Sequence, residues 1–182
     1  RRRFEAYPRP GTGLKKEKFL EKREVVLNEL SRVVPSGVGR GTREKLSDKE
    51  LDEVLNRGVN WALDKGYATE LDIENTEDNG CIKGADAKKV SPKAKARGRD
   101  QLGTLGSGNH FLEVQFVEKI FDNKVASIFG LENDDIVVLI HTGSRGLGHQ
   151  TASDYIRKME DEYGFSHLPD RELICAPLNS EL

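Results

Sequence analysis

Two glycine-rich segments constrain this chain more than any other feature. Each adjoins a short apolar run, and each holds a histidine where loop meets strand. Gly103-Thr104-Leu105-Gly106-Ser107-Gly108 leads through Asn109-His110 into Phe111–Val117, which has the pattern of a strand. Ile136–Ile140 is apolar at every position, which predicts a second strand buried on both faces. That run ends at His141, and Thr142–Gly148 forms the second glycine-rich turn. A helix is predicted over about Gln150–Tyr163, stopped by Gly164. Strands alternating with helical stretches predict an α/β chain, with α+β as the other arrangement, in which helices flank a mixed sheet.

The rest of the chain reads mainly as helix and loop. Pro8, Pro10, Gly11 and Gly13 make residues 1–13 a tail or loop. Leu14–Val34 has helical periodicity through Phe19, Leu20, Val26, Leu27 and Leu30, and Pro35 ends it. Ser47 and Glu50 have capping-box spacing and open a second helix, whose apolar face is Leu51, Val54, Leu55, Val59 and Ala62. Lys65-Gly66 closes that helix, and Trp61 is expected to anchor it to a neighbour. Residues 67–90 are acidic and read as irregular, with a turn at Asn79-Gly80. Ser91-Pro92 suits the start of a short basic helix carrying Lys93, Lys95, Arg97 and Arg99. Ile174–Leu178 reads as one more short strand.

Composition narrows the function classes. The 182 residues are 33% charged with a formal net charge of −2. That balance excludes a histone-like binder and an acidic disordered tail, but it permits a local basic groove. The acidic stretch around Glu70–Asp78 offsets the basic run Lys93–Arg99. Cys81 and Cys175 read as free thiols in a reducing compartment, so the expected location is cytoplasmic. No run approaches the roughly 20 apolar residues of a membrane span, and no apolar stretch follows Arg1–Arg3 as in a signal peptide. The chain does not begin with Met, and it stops at Leu182 after an apolar run, which predicts a fragment or a processed product.

The chemistry lies in the two glycine-rich segments. The glycines of Gly103–Gly108 let the backbone turn sharply and approach a ligand. With a period of two, Asn109, Phe111 and Glu113 share one strand face, and His110 falls on the other with Leu112, Val114 and Phe116. His110 can be a core histidine or a ligand, and Glu113 a surface residue or part of a site. The second segment leads from a strand end to a helix start, a position that favours anions. It is neither a Walker A motif nor a Rossmann fingerprint. Arg145 offers a guanidinium fork to a phosphate or carboxylate, or else a surface ion pair. If the two strands are neighbours, His110 and His141 can point into one cleft. Two imidazoles do not complete a metal site, and the spacing of His149, Cys81, Cys175 and the acidic residues compels no choice among them. His149 reads as a helix-start residue and His167 as a surface loop residue.

Gly103–Gln115, "GTLGSGNHFLEVQ", and His141–Gln150, "HTGSRGLGHQ", closely resemble signatures of the RtcB family of tRNA-splicing RNA ligases. "VPSGVG" at Val34–Gly39, "GAD" at Gly84–Asp86 and "ASDY" at Ala152–Tyr155 are similar to that family too. The resemblance covers about residues 15–182, leaves 1–13 as an unmatched tail, and makes 14–182 the central part of a larger single catalytic domain. It implies joining of RNA 2′,3′-cyclic-phosphate or 3′-phosphate ends to 5′-hydroxyl ends in tRNA splicing and RNA repair. It also implies GTP and Mn²⁺ as cofactors and a covalent guanylyl-histidine. By matching position, His110 and His141 are implied to be manganese ligands. Asn109, His110, Phe111, Leu112 and Glu113 are implied to line the guanylate site, and Arg97, Arg99 and Arg145 to meet RNA phosphate. The implied partners are tRNA halves, GTP and an activating protein factor, with no membrane. The family's upstream Asp-x-x-Cys segment and downstream histidines have no counterpart here. The nucleophile is therefore expected outside this chain, which alone is expected to be inactive. The alternatives are a non-catalytic nucleotide- or RNA-binding fragment and a metal-dependent phosphohydrolase.

Overall fold

The computed structural model describes residues 12–37, 42 and 45–182. Its helices and strands bear out the α/β reading. No helix among these residues is long and apolar enough to cross a membrane. The chain divides into two compact units. One holds the described part of Arg1–Arg40 together with Gly103–Gly143; the other holds the described part of Gly41–Leu102 together with Ser144–Leu182.

The first unit is built around an antiparallel pair of strands, β1 (Phe111–Phe116) and β2 (Ile136–His141). Their register sets Phe111 opposite His141 and Phe116 opposite Ile136. Residues 12–16 pair along the start of β2: the Ile136 N–H donates to the Leu14 carbonyl at 2.9 Å, and the Lys16 N–H to the Asp134 carbonyl at 2.8 Å. Lys15 joins Asp135 at 2.8 Å and Glu132 at 3.0 Å. Thr12, expected in a tail or loop, donates its hydroxyl to the Ile136 carbonyl. Residues 1–11 of that tail lie outside the described residues.

Two expectations fail in this unit. Leu14–Val34 is not one helix but two, α1 (Lys16–Leu20) and α2 (Arg23–Val33). Pairing of Lys15 and Lys16 with the β2 start fixes the first turns, and the tight bond from the Lys22 N–H to the Phe19 carbonyl ends α1. The second failure is the burial of β2. Ile136 is buried, but Val138, Leu139 and Ile140 are exposed, because among the described residues the sheet has two strands. A continuous apolar run specifies a strand without specifying what covers it. The connection between the strands carries α3 (Asn123–Ile128), capped by Asp122, whose carboxylate accepts from the Lys124 and Val125 N–H groups.

The second unit follows local signals closely. The expected capping box opens α4 (Asp48–Arg57): the Ser47 hydroxyl accepts from the Glu50 N–H, and the Glu50 carboxylate accepts from the Ser47 N–H. The predicted long helix breaks at Gly58, where φ is 54°, and resumes as α5 (Val59–Asp64). A side chain there would strike the Gly80 carbonyl, so the break admits the returning chain. Trp61 is buried on α5, with its ring 6.1 Å from that of Tyr67. The stretch expected to be irregular contains α6 (Glu70–Glu74), whose Asp72 carboxylate accepts from the Thr69 N–H and hydroxyl. As expected, α7 (Pro92–Gly98) starts with Ser91 as N-cap and Pro92 in the first turn. The long helix α8 spans Arg145–Tyr163, several residues more than predicted, because the second glycine-rich segment coils into its first turns. Ile174–Leu178 forms no strand: a 3₁₀ turn at Arg171–Leu173 is followed by irregular chain. With Pro177 inside it and no neighbouring strand among the described residues, that segment finds no ladder to join.

Candidate functional site

In the first unit, strand pairing brings the two sequence-distant histidines together. Phe111 and His141 are register partners, so their side chains project from one face. The Phe111 ring meets the His141 ring edge-on at 5.4 Å between centroids. His110, one residue before β1, also lies against His141, at 6.2 Å between ring centroids. The strict alternation that separates His110 from Phe111 lapses at the strand mouth, and His141 sits beside both.

Glycine makes room for this pair. The loop Gly103–Gly108 is tied to the segment following α2: the Leu105 N–H donates to the Pro35 carbonyl at 2.8 Å, and the Gly37 N–H to the Gly106 carbonyl at 3.0 Å. Thr104 and Leu105 are buried there. A Cβ at Gly106 would lie 2.3 Å from His110 Nδ1, and one at Gly143 would lie 3.6 Å from His110 Nε2. The imidazole therefore occupies a cradle whose two sides come from the two glycine-rich segments. Nδ1 of His110 is buried and has no hydrogen-bond partner. A buried, unpartnered ring nitrogen is costly, and a donated proton or a metal ion would satisfy it.

The remaining residues of the first segment are spread out. Asn109 is exposed in the loop, and Leu112 is half-buried in β1. Glu113 is exposed and accepts from Gln115 Nε2 at 2.7 Å. No group of three or more His, Cys, Asp or Glu among the described residues could hold a metal ion. The donor set thus offers two imidazoles, which suit a first-row divalent ion, and leaves other coordination positions to donors beyond it.

In the second unit the basic residues flank the crossing of α7 and α8. The close approach is made at Gly98, where a Cβ would lie 2.6 Å from Leu147 Cβ. Arg97 is exposed, and its Nη1 donates to Gln150 Oε1 at 2.9 Å. Gln150 Nε2 in turn donates to Asp154 Oδ1 at 2.7 Å, and Asp154 Oδ2 accepts from the Ser91 hydroxyl at 2.5 Å. The Ser91 hydroxyl, with the Gln150 amide next, holds the Asp154 carboxyl below the usual aspartate range. Arg99 pairs with Asp48 at 3.2 Å. Arg145 is the first residue of α8 and takes φ 48°, a left-handed conformation uncommon outside glycine. Such outliers concentrate at functional sites. His149 is exposed on α8, and His167 is exposed in the following loop.

The sequence singles out the two histidines and the arginines as candidates, whereas Gln150 and Asp154 stand only within the longer motifs His141–Gln150 and Ala152–Tyr155. The available signal was a polar pair at i and i+4 of one helix, facing a helix with Ser at its N-cap. That pattern is common on solvated faces, and only the packing against α7 shows that it is covered.

Comparison with known proteins agrees with the motifs. The family model described as "tRNA-splicing ligase RtcB" matches residues 10–182. A protein of that name from Methanocaldococcus jannaschii is 53% identical over 173 residues, covering 93% of this chain and 18% of the relative. The one from Nanoarchaeum equitans is 51% identical over 171 residues, covering 93% of this chain and 36% of the relative. The one from Pyrobaculum aerophilum is 51% identical over 175 residues, covering 94% of this chain and 36% of the relative. The chain therefore spans 36% or less of the length of these relatives.

Proposed function

The chain belongs to the tRNA-splicing ligase RtcB family, and on that premise we propose that it forms the central part of an RNA ligase's catalytic domain. The reaction is the joining of RNA ends bearing a 2′,3′-cyclic phosphate or 3′-phosphate to ends bearing a 5′-hydroxyl, with GTP and Mn²⁺. The guanylyl-accepting histidine belongs to sequence outside these 182 residues. The observation that carries this reading is the imidazole pair: rings 6.2 Å apart, with the inner nitrogen of His110 buried, unpartnered and cradled by glycine.

In this reading His110 and His141 hold the divalent ion. When bound, that ion supplies positive charge against phosphoryl oxygens. Asn109, Phe111, Leu112 and Glu113, with His110, border the guanylate. Arg97, Arg99 and Arg145 engage RNA phosphate, for which planar guanidinium groups are well suited. The RNA partner is a pair of tRNA halves, an activating protein factor assists, and the location is cytoplasmic.

The test is ligation by the full-length protein containing this segment. His110→Ala and His141→Ala are each expected to lower ligation of a cyclic-phosphate RNA to a 5′-hydroxyl RNA by about 100-fold or more, as for displaced reacting groups. Undiminished ligation in both variants would overturn the assignment. Incubating the 182-residue chain with labelled GTP and Mn²⁺ tests the placement of the nucleophile. No covalent label is expected on this chain, and stable label on it would place the nucleophile within these residues.

A further inference from the structure

Gln150 is the one buried residue of the 19-residue helix α8, only 6% exposed. A leucine would pack at such a position without needing any hydrogen bond. The amide instead has both ends engaged. Arg97 can only donate and an ionised Asp154 can only accept, so the orientation of the Gln150 amide is fixed: oxygen to Arg97, nitrogen to Asp154. Asp154 is held in turn by Ser91, whose oxygen also accepts from the Ala94 N–H at 3.1 Å as the N-cap of α7. The chain of bonds thus leaves α7 in its last turn at Arg97, crosses to α8, and returns to α7 at its N-cap. A satisfied, part-buried network of this kind fixes the geometry of its members. Arg97 gives one Nη1 bond to this network and is otherwise exposed, and a guanidinium has five N–H donors in all.

We propose that Gln150, Asp154 and Ser91 are positioning residues that hold the Arg97 guanidinium in one orientation for an RNA phosphate. The inference rests on the reading of Arg97 as a phosphate contact. It adds three residues that touch no RNA yet set how tightly RNA is held.

The test uses the full-length protein and a cyclic-phosphate RNA, measuring KM and kcat separately together with the salt dependence of RNA binding. Arg97→Ala is expected to raise KM by about 10-fold, the worth of a charge-assisted hydrogen bond. It should also reduce the salt slope by about 1. Gln150→Leu should move both quantities in the same direction by a smaller factor, with little change in kcat. Gln150→Glu sets a carboxylate against Asp154 and should also raise KM. Combining Gln150→Glu with Asp154→Asn reverses the second hydrogen bond and leaves the net charge unchanged. The new amide at position 154 then donates to the new carboxylate at position 150. That carboxylate still accepts from Arg97, and the amide oxygen at position 154 still accepts from Ser91. This double variant should recover the wild-type KM and salt slope, which a purely structural role does not predict.

If Arg97→Ala shifts KM but neither Gln150 variant does, the positioning role is overturned and the phosphate contact stands. If the double variant melts like wild type yet binds RNA no better than Gln150→Glu alone, the positioning role is likewise overturned. If Arg97→Ala leaves KM and salt slope unchanged, the phosphate reading fails and the positioning role with it.

Discussion

His110 in the strand unit and Gln150 in the helical unit are polar side chains in opposite circumstances. In the strand unit, His110 is packed between glycines with a buried ring nitrogen that bonds to nothing. In the helical unit, Gln150 is more deeply buried than the rest of its helix, and both ends of its amide are bonded. An orphaned donor or acceptor destabilises a fold, so it is tolerated where something else completes it. A satisfied network avoids that penalty and holds its members in place. The first region leaves a ring nitrogen that a ligand would satisfy. The second holds a guanidinium in place.

The largest expected effect would break this contrast on the strand side. Gly106→Ala puts a methyl group 2.3 Å from His110 Nδ1. The imidazole must shift from its place beside His141, and ligation by the full-length protein should fall by about 100-fold, as when reacting groups are displaced by an ångström. Calorimetric Mn²⁺ binding should weaken in parallel. Full activity in this variant would show that the cradle has no role. A smaller effect is expected on the helical side. Ser91→Ala removes both the N-cap of α7 and the hydroxyl that Asp154 accepts, and should cost about 1–2 kcal/mol in urea unfolding. An unchanged midpoint would mean that the network contributes no stability.

The smallest effect sharpens the comparison through pH. Asp154 is held below its ordinary value of 3.8 by Ser91 and then Gln150, and Glu50 below 4.5 by the Ser47 backbone and hydroxyl. A depressed carboxyl stabilises the folded state fully above its unfolded pKa, and that contribution is lost as pH falls through the folded value. Thermal melts should therefore be flat from neutral pH down to about pH 5 and decline below it. In Ser91→Ala the part of that decline due to Asp154 should shrink, because its largest cause is gone. An equally steep decline would assign the acid sensitivity to other carboxylates.

What could be read from sequence follows the range of the interactions. The Ser47–Glu50 capping box and the Ser91-Pro92 helix start were legible because their partners lie within three residues. The meeting of His110 and His141 was legible as a condition, that the strands be neighbours, and the register satisfies it. The roles proposed for those residues come from the family resemblance and not from the pairing. The break at Gly58 was not legible, since it depends on the Gly80 carbonyl from a later turn. The exposure of Val138–Ile140 was hidden for a similar reason, because an apolar run does not state how many strands accompany it. Gln150 was missed because burial of one helical position is decided by the partner helix.

The tether on Arg97 also has a thermodynamic consequence. A free arginine side chain carries about 2 kcal/mol of rotamer entropy, which a ligand ordinarily has to overcome when it orders the group. Here part of that ordering is complete once α7 and α8 have packed at Gly98. That share of the disorder is given up during folding and not when the side chain meets a ligand, so the ordering of this arginine weighs on the stability of the helix pair.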